Sequence, residues 1–174
     1  HISLGDVDWS KTKAYGLGFN GLYLNIEGRE SQGIIPPDEV DATKRELTEA
    51  LMAWRDGEEG EESATIVLEV ADSETVYSQA RRAEAPDLIV GYNAHYGASE
   101  ESTLGEVTAG LLEDNTDRWS GNHLMAPSVV PGVLFSSKPF PASGQYSLPD
   151  VTATLLHYYG LDKTPGMVGQ TIFR

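Results

Sequence analysis

Trp119-Ser-Gly-Asn-His-Leu-Met-Ala-Pro-Ser-Val-Val-Pro-Gly-Val-Leu-Phe135 is the stretch that most constrains the fold of this chain. It joins a polar turn, residues 120–123, to an apolar run at residues 129–135. The run is short, rich in β-branched residues and bounded by turn residues, which predicts a buried strand. A polar loop that feeds a buried strand is a common place for functional side chains, so His123 is a candidate metal ligand or proton-transfer group. The alternative is a loop histidine that only hydrogen-bonds to the backbone.

The elements around this stretch alternate between strand and helix patterns. Strands are predicted at residues 21–26, 65–70 and 88–90, and helices at residues 38–55 and 148–159. The first helix has an apolar stripe that includes Leu47, Leu51 and Trp54, as expected for a helix packed on a core. Strands interleaved with helices predict an α/β fold, with a mostly parallel sheet built around residues 88–90 and 129–135.

The totals limit the classes of partner. The chain has 174 residues, 12 basic and 27 acidic side chains, a formal net charge of −15 and no cysteine. This length suits one domain, and no linker divides residues 1–174. An acidic surface repels nucleic-acid phosphates and anionic lipid, so we expect neither partner. It also repels an anionic substrate unless a metal ion reverses the local charge. No apolar run of roughly 18 residues is present, which predicts no membrane span.

Other polar residues are weaker candidates for function. His95 would lie at the carboxyl end of the strand at 88–90, where α/β proteins build their sites, and is a possible ligand. His157 falls in the last turn of a predicted helix, where the helix dipole favours a cation, which argues for a structural role. The acidic run at residues 57–62 is favoured as a solvated loop rather than a metal site. Arg29 can bind an anion, although pairing with a nearby acid is the favoured interpretation.

The polar turn and the apolar run resemble the segment W-S-G-D-H-C-M-x-P-x-x-V-P-G-V-L-F-S-N of type I phosphodiesterase/nucleotide pyrophosphatase-like proteins, a branch of the alkaline phosphatase superfamily. Further stretches agree with this family, in order, over nearly the whole chain. They are Val7-Asp-Trp-Ser-Lys-Thr-Lys-Ala-Tyr15, Gly21-Leu-Tyr-Leu-Asn-Ile-Glu-Gly-Arg-Glu30, Ala85-Pro-Asp-Leu-Ile-Val-Gly-Tyr92, Pro149-Asp-Val-Thr-Ala-Thr-Leu-Leu156 and Gly166-Met-Val-Gly-Gln-Thr-Ile-Phe173.

The resemblance implies that the chain is the C-terminal part of an alkaline-phosphatase-like domain, with three layers and a mostly parallel sheet. It implies a metal-dependent hydrolase of phosphate esters or nucleotide pyrophosphates, in which two zinc ions about 4 Å apart hold the phosphoryl oxygens. His123 matches a histidine ligand of one metal. In that family the nucleophile and an Asp-His-Gly motif lie upstream, and this chain contains no Asp-His-Gly. The chain alone is therefore expected to be inactive. We expect the missing N-terminal part of the same domain to be one of its partners. The first residue, His1 rather than Met, also leads us to expect a longer protein.

Asn122 departs from the family pattern, which has Asp directly before the histidine. Asn carries no negative charge and seldom binds zinc. If the family's Asp only orients the histidine, Asn122 can still provide a hydrogen bond to do so. The alternative function is a noncatalytic binding or structural module that kept the fold after losing the metal site. A Thr or Ser nucleophile and an Asp-His-Gly motif upstream would favour the enzyme.

Overall fold

The computed structural model describes residues 2–57, 63–108, 110–141 and 144–173. His1 and residues 58–62 of the acidic run lie outside the described residues, so the solvated loop expected at 57–62 stays a prediction. The strands are β1 (Ile2–Ser3), β2 (Ala14–Leu17), β3 (Gly21–Leu24), β4 (Arg55–Asp56), β5 (Ala64–Thr65), β6 (Val67–Asp72), β7 (Leu88–Tyr92) and β8 (Glu106–Val107). The α-helices are α1 (Val40–Ala53), α2 (Ser73–Val76), α3 (Glu100–Thr103) and α4 (Leu148–Tyr158). The chain divides into two compact units, His1–Pro131 and Gly132–Arg174.

The first unit is built on a four-stranded sheet with the strand order β2-β3-β7-β6. Every neighbouring pair in this sheet is antiparallel. The chain is therefore a mixed α/β protein with a small antiparallel sheet, and the mostly parallel sheet expected from the sequence is wrong for the described residues. The alternation of apolar side chains is the same for both strand directions. Direction depends on which strands pair, and a three-residue turn, with Gly18 at φ 75°, returns β3 against β2.

Helix α1 covers one part of this sheet. A short 3-10 helix, Pro37–Glu39, leads into α1, and this confirms the helix predicted at residues 38–55 to within a few residues. Leu51 and Trp54 pack against a buried cluster that consists of Ile66, Val67 and Val90. The predicted apolar stripe is thus the core face of the helix. Burying each aliphatic side chain of such a cluster contributes about 1.5–3 kcal/mol.

A partly buried ion pair joins the loop after β3 to the residue before β7. Arg29 donates from Nη1 and Nη2 to the two carboxylate oxygens of Asp87, at 2.8 and 2.6 Å. The same Asp87 carboxylate accepts the backbone N–H of Leu24, at 2.7 Å. The side-chain hydrogen bonds between Arg29 and Asp87 are the main cause of the raised pKa of Arg29. Pairing with an acid, the interpretation favoured for Arg29, is confirmed.

The strand predicted at residues 129–135 is wrong for the described residues. Pro127–Val129 forms a 3-10 turn, and residues 130–135 are in neither helix nor strand. Val133 and Phe135 are 83% and 89% exposed, although they were expected in the core. A strand exists only by pairing with a neighbour, and none of the described strands pairs with this run. Pro131 in its middle also lacks the N–H that a central strand would donate.

The second unit contains helix α4, which confirms the helix predicted at residues 148–159. Ser147 and Asp150 form a capping box at its start, in which the Asp150 carboxylate accepts the Ser147 backbone N–H at 2.8 Å. Asp150 also accepts the N–H of Gln170 at 2.7 Å, which ties the C-terminal segment to the helix. Gly160, at φ 68°, ends the helix as predicted. Within the described ranges, no helix is long and apolar enough to cross a membrane.

Candidate metal-binding loop beside a sheet strand

His123 lies on an exposed loop without regular secondary structure. The residue before it fixes the local turn, because the Oδ1 atom of Asn122 accepts the backbone N–H of Leu124 at 2.8 Å. This is the Asx turn that an Asn or Asp makes two residues ahead of the donor. The turn encloses His123 between its two ends and leaves the imidazole accessible to a ligand. The polar turn predicted at residues 120–123 is thus confirmed at its last two residues.

The loop is seated on β7 by its downstream end. The backbone N–H of Ala126 donates to the carbonyl of Tyr92, the last residue of β7, at 2.9 Å. Ala126 is fully buried. A Cβ atom built on Gly91 would lie 3.2 Å from the Ala126 Cβ and 2.5 Å from the Glu69 Cγ. A side chain at Gly91 would therefore force Glu69 and Ala126 to move. The glycine in this strand is explained by the close approach of Glu69 on β6 and of Ala126 in the loop.

A second contact comes from the turn between β2 and β3. The Nδ2 atom of Asn20 donates to the carbonyl oxygens of Val90, at 2.5 Å, and Leu124, at 3.2 Å. In the opposite direction, the Val90 N–H donates to the Asn20 carbonyl at 2.9 Å. Asn20 therefore contacts both β7 and the residue after His123. The sequence analysis missed both Asn20 and Gly91. An Asn-Gly pair, Asn20-Gly21, was visible in the sequence, but it indicates only a turn.

The loop that follows β7 reaches the same place. His95 has φ 74°, and it is the one non-glycine residue with positive φ in the part of the chain that the structure describes. Its side chain is exposed. The Asn122 Nδ2 atom lies 2.8 Å from where a Cβ on Gly97 would stand. The structure thus brings the turn before His123 against residues 93–97, the loop that holds the second candidate histidine. The prediction that this loop lies at a strand's carboxyl end is confirmed.

Hydrogen bonds hold both ends of this second loop. Asn93 donates from Nδ2 to the carbonyl of Thr65 at 2.8 Å and accepts the N–H of Ala94 at Oδ1. At the other end, the Tyr96 hydroxyl donates to the Asp56 carboxylate at 2.9 Å. This hydrogen bond raises the pKa of Tyr96, because it stabilises the protonated phenol. The backbone around His95 is therefore fixed on both sides.

The loop by itself offers few metal ligands. No group of three or more His, Asp, Glu or Cys side chains with metal-binding geometry occurs in residues 2–57, 63–108, 110–141 and 144–173. Zinc sites take three or four protein ligands. His123 can supply one neutral imidazole nitrogen, so the other ligands of such a site would have to come from elsewhere. His157, predicted to be structural, lies exposed in the last turn of α4, in the other compact unit.

Two open cavities lie away from the His123 loop. One, of about 360 Å³, adjoins the nearly buried Lys44, whose Nζ atom is paired with Asp72 at 3.1 Å. The other, of about 430 Å³, is walled by Trp9 and Tyr15 with the Glu30 side chain. Glu30 is already engaged, because its two oxygens accept from Arg29 Nε and from the Ile26 N–H. Neither cavity is lined by residues 119–135.

Comparison with known proteins adds no identification. No protein-family model matches the chain, and neither a curated protein nor a solved structure matches it.

Proposed function

We propose that this chain is the C-terminal part of the catalytic domain of a metal-dependent phosphoric ester hydrolase of the alkaline-phosphatase type. The chain would contribute His123 as one ligand of a two-zinc site. The observation that carries the proposal is an accessible histidine within the matching motif, in a turn fixed by Asn122 and seated by Ala126 on the last residue of β7. The nucleophile, the other ligands and the parallel strands of a three-layer domain would come from the preceding part of the protein.

Exposed apolar side chains support this part of the proposal. Several large apolar residues in and before the 119–135 stretch are more than four-fifths exposed: Leu111, Trp119, Val133 and Phe135. Single exposed apolar residues are ordinary, but a β-branched run bounded by turn residues usually belongs to a buried strand. We propose that residues 129–135 pair with a strand from outside this chain.

The proposed substrate is a small phosphate ester or nucleotide pyrophosphate. The net charge of −15 opposes the approach of such an anion. Bound zinc ions would reverse the local charge and polarise the phosphoryl oxygens. The role of His123 is to present a neutral imidazole nitrogen to the metal, while a hydrogen bond to its other nitrogen would fix the tautomer. The same net charge leads us to propose neither nucleic acid nor a lipid surface as a partner.

A second candidate function is a noncatalytic binding or structural module. Asn122 favours it, because the family has Asp at this position and Asn brings no negative charge to a zinc site. Here Oδ1 accepts the Leu124 N–H, and the remaining Nδ2 lies against Gly97. In an Asp, one oxygen would keep the turn and the other would replace this Nδ2 with a charged acceptor. In such a module, the Asn122 Nδ2 donor stands where the family has a charged acceptor, and an N–H donor repels a cation.

The experiment uses the intact protein that carries this chain, with His123→Ala as the test and His157→Ala as the matched control. We expect His123→Ala to lower the zinc content and to reduce hydrolysis of a nitrophenyl phosphodiester. Removing a metal ligand should cost more than the roughly 10–100-fold typical of changes that only orient a ligand. The control should keep both properties. Full zinc occupancy and full rate in His123→Ala would show that the proposed function is wrong.

Asn122→Asp separates the two candidates. In an active hydrolase the substitution should leave the rate unchanged or raise it, because the turn is kept and a charge is added near the metal. A protein that is inactive with Asn122 and gains zinc and activity with Asp would instead be a module that had lost the site. Metal analysis and the same ester assay measure both outcomes.

A further inference from the structure

We propose that Asn20 is the positioning residue of the His123 loop, a role that rests on the proposed metal function of His123. Its side-chain amide has two hydrogens, and they go to two carbonyl oxygens on different segments. One is Val90 in β7, at 2.5 Å, and the other is Leu124, the neighbour of His123, at 3.2 Å. One side chain thus joins the sheet to the peptide next to the candidate ligand.

The main chain of Asn20 fixes where this amide points. Its carbonyl accepts the Val90 N–H at 2.9 Å, so Asn20 and Val90 exchange hydrogen bonds in both directions. This extends the pairing of β3 with β7 by one step, into the turn between β2 and β3. Asn20 is half-buried, and its amide is held by strand pairing rather than by a flexible loop. Val90 itself is buried in the core cluster, which makes the anchor rigid.

His123 is thereby bracketed by fixed points. Upstream, the Asn122 side chain closes the turn on the Leu124 N–H, and downstream the Ala126 N–H is bonded to Tyr92. Asn20 holds the Leu124 carbonyl between these two points. Asn122 and His123 are exposed, whereas Leu124 and Met125 are half-buried, so the Asn20 amide holds the loop at the first residue after His123 that lies against the protein. Loss of the Asn20 side chain should leave Ala126 in place and free the His123 peptide to rotate.

A metal site is sensitive to such rotation. Residues that orient a metal-binding histidine typically change metal affinity by about 10–100-fold when they are removed. Asn20 would act on the backbone next to His123 rather than on its imidazole. A rotation of that backbone would also change the direction in which the imidazole points. Asn20→Ala is therefore expected to weaken zinc binding, while the rate at saturating zinc stays within a few-fold of the original.

The matched control is Asn93→Ala. Asn93 is also a half-buried asparagine, it follows the same strand, and its amide donates to one carbonyl, Thr65, at 2.8 Å. Its side-chain hydrogen bonds go to residues 65 and 94 and not to the His123 loop. A merely structural role for Asn20 would make the two variants behave alike. Asn20→Asp is the second test variant, because it keeps the side-chain shape and removes both N–H donors.

The first measurement is amide hydrogen exchange of Leu124 and Ala126 by NMR in the 174-residue chain. We expect the protection of the Leu124 amide to fall at least several-fold in Asn20→Ala and in Asn20→Asp at neutral pH, and to be unchanged in Asn93→Ala. The Ala126 amide, which is bonded to Tyr92, should stay protected in every variant. Below the pKa of the introduced carboxyl group, Asn20→Asp regains one donor, so its protection should recover in part relative to the unchanged chain. Equal protection in all the variants would overturn the positioning role.

The second measurement is the zinc concentration that gives half-maximal ester hydrolysis in the intact protein. Asn20→Ala should raise it by about 10–100-fold, and Asn93→Ala should not change it. If His123→Ala loses zinc while Asn20→Ala behaves like Asn93→Ala, the positioning role is wrong and the proposed function stands. If His123→Ala keeps its zinc, both are wrong. The two failures are therefore distinguishable.

Discussion

Removing the Asp87 carboxylate should destabilise the first unit far more than removing an exposed acid. Asp87 accepts the N–H of Leu24, which is 0% exposed, so in Asp87→Ala that donor has neither a partner nor water. An orphaned buried donor costs about 1–3 kcal/mol. The Arg29 side chain is 39% exposed and regains some water, so its loss stays below the roughly 3–5 kcal/mol of a fully buried pair that is broken.

The two losses together predict a decrease of about 2–4 kcal/mol in the free energy of unfolding. For a chain of this size, that corresponds to a melting temperature lower by about 5–15 °C. Asp87→Asn should cost less than Asp87→Ala, because its amide oxygen can still accept the Leu24 N–H. The assay is urea denaturation followed by tryptophan fluorescence, in which Trp54 reports on the core cluster that it packs against.

Glu84→Ala is the control for this prediction. Glu84 pairs with Arg81 at 3.4 Å, and their side chains are 77% and 72% exposed. Exposed pairs of this kind contribute about 0–1 kcal/mol, so the control should shift the urea midpoint little. If Asp87→Ala were no more destabilising than Glu84→Ala, the reasoning that the buried N–H of Leu24 needs this carboxylate would be refuted.

Three further predictions follow from single contacts. Gly91→Ala should lower the free energy of unfolding by about 1–3 kcal/mol and raise amide exchange at Ala126, because its Cβ would meet the Glu69 Cγ at 2.5 Å and the Ala126 Cβ at 3.2 Å. Gly121→Ala is the control, because open space surrounds that position. Equal melting temperatures for the two variants would contradict this prediction. Hydrogen bonds from Gln170 and Ser147 lower the pKa of Asp150 below its ordinary value. The stability that the ionised form contributes is therefore present above the unfolded pKa and is lost as the pH falls through the lower folded pKa. Unfolding measured between about pH 5 and pH 2 should show this slope, and Asp150→Asn should lack it. Lys44→Met should be less destabilising than Lys44→Ala, because both variants lose the ion pair to Asp72 but only Met keeps the packed stem of this 7% exposed side chain. Equal or reversed urea midpoints would contradict the packing of the stem.

The two longer helices and three strands of the four-stranded sheet were predictable from the sequence because their signals are local. Helix α1 follows Pro36-Pro37 and carries an apolar stripe, and α4 lies between a capping residue and Gly160. Strands near residues 21–26, 65–70 and 88–90 were found from short β-branched or alternating runs, and the structure confirms each within a few residues. The turn before His123 was predictable in the same way, because an Asn or Asp bonds to its own backbone neighbours.

Pairing over long separations was decided only by the tertiary structure. Whether strands run parallel or antiparallel, and whether residues 129–135 find a partner at all, depends on segments far apart in the chain, and a side-chain period of two does not encode either. The same is true of the support for His123. Asn20 contacts Leu124 across 104 positions, and a side chain at Gly91 would meet both Glu69 on β6 and Ala126 in the loop. An amide in a turn and a glycine in a strand gain these roles only when folding brings another backbone within hydrogen-bonding or contact distance.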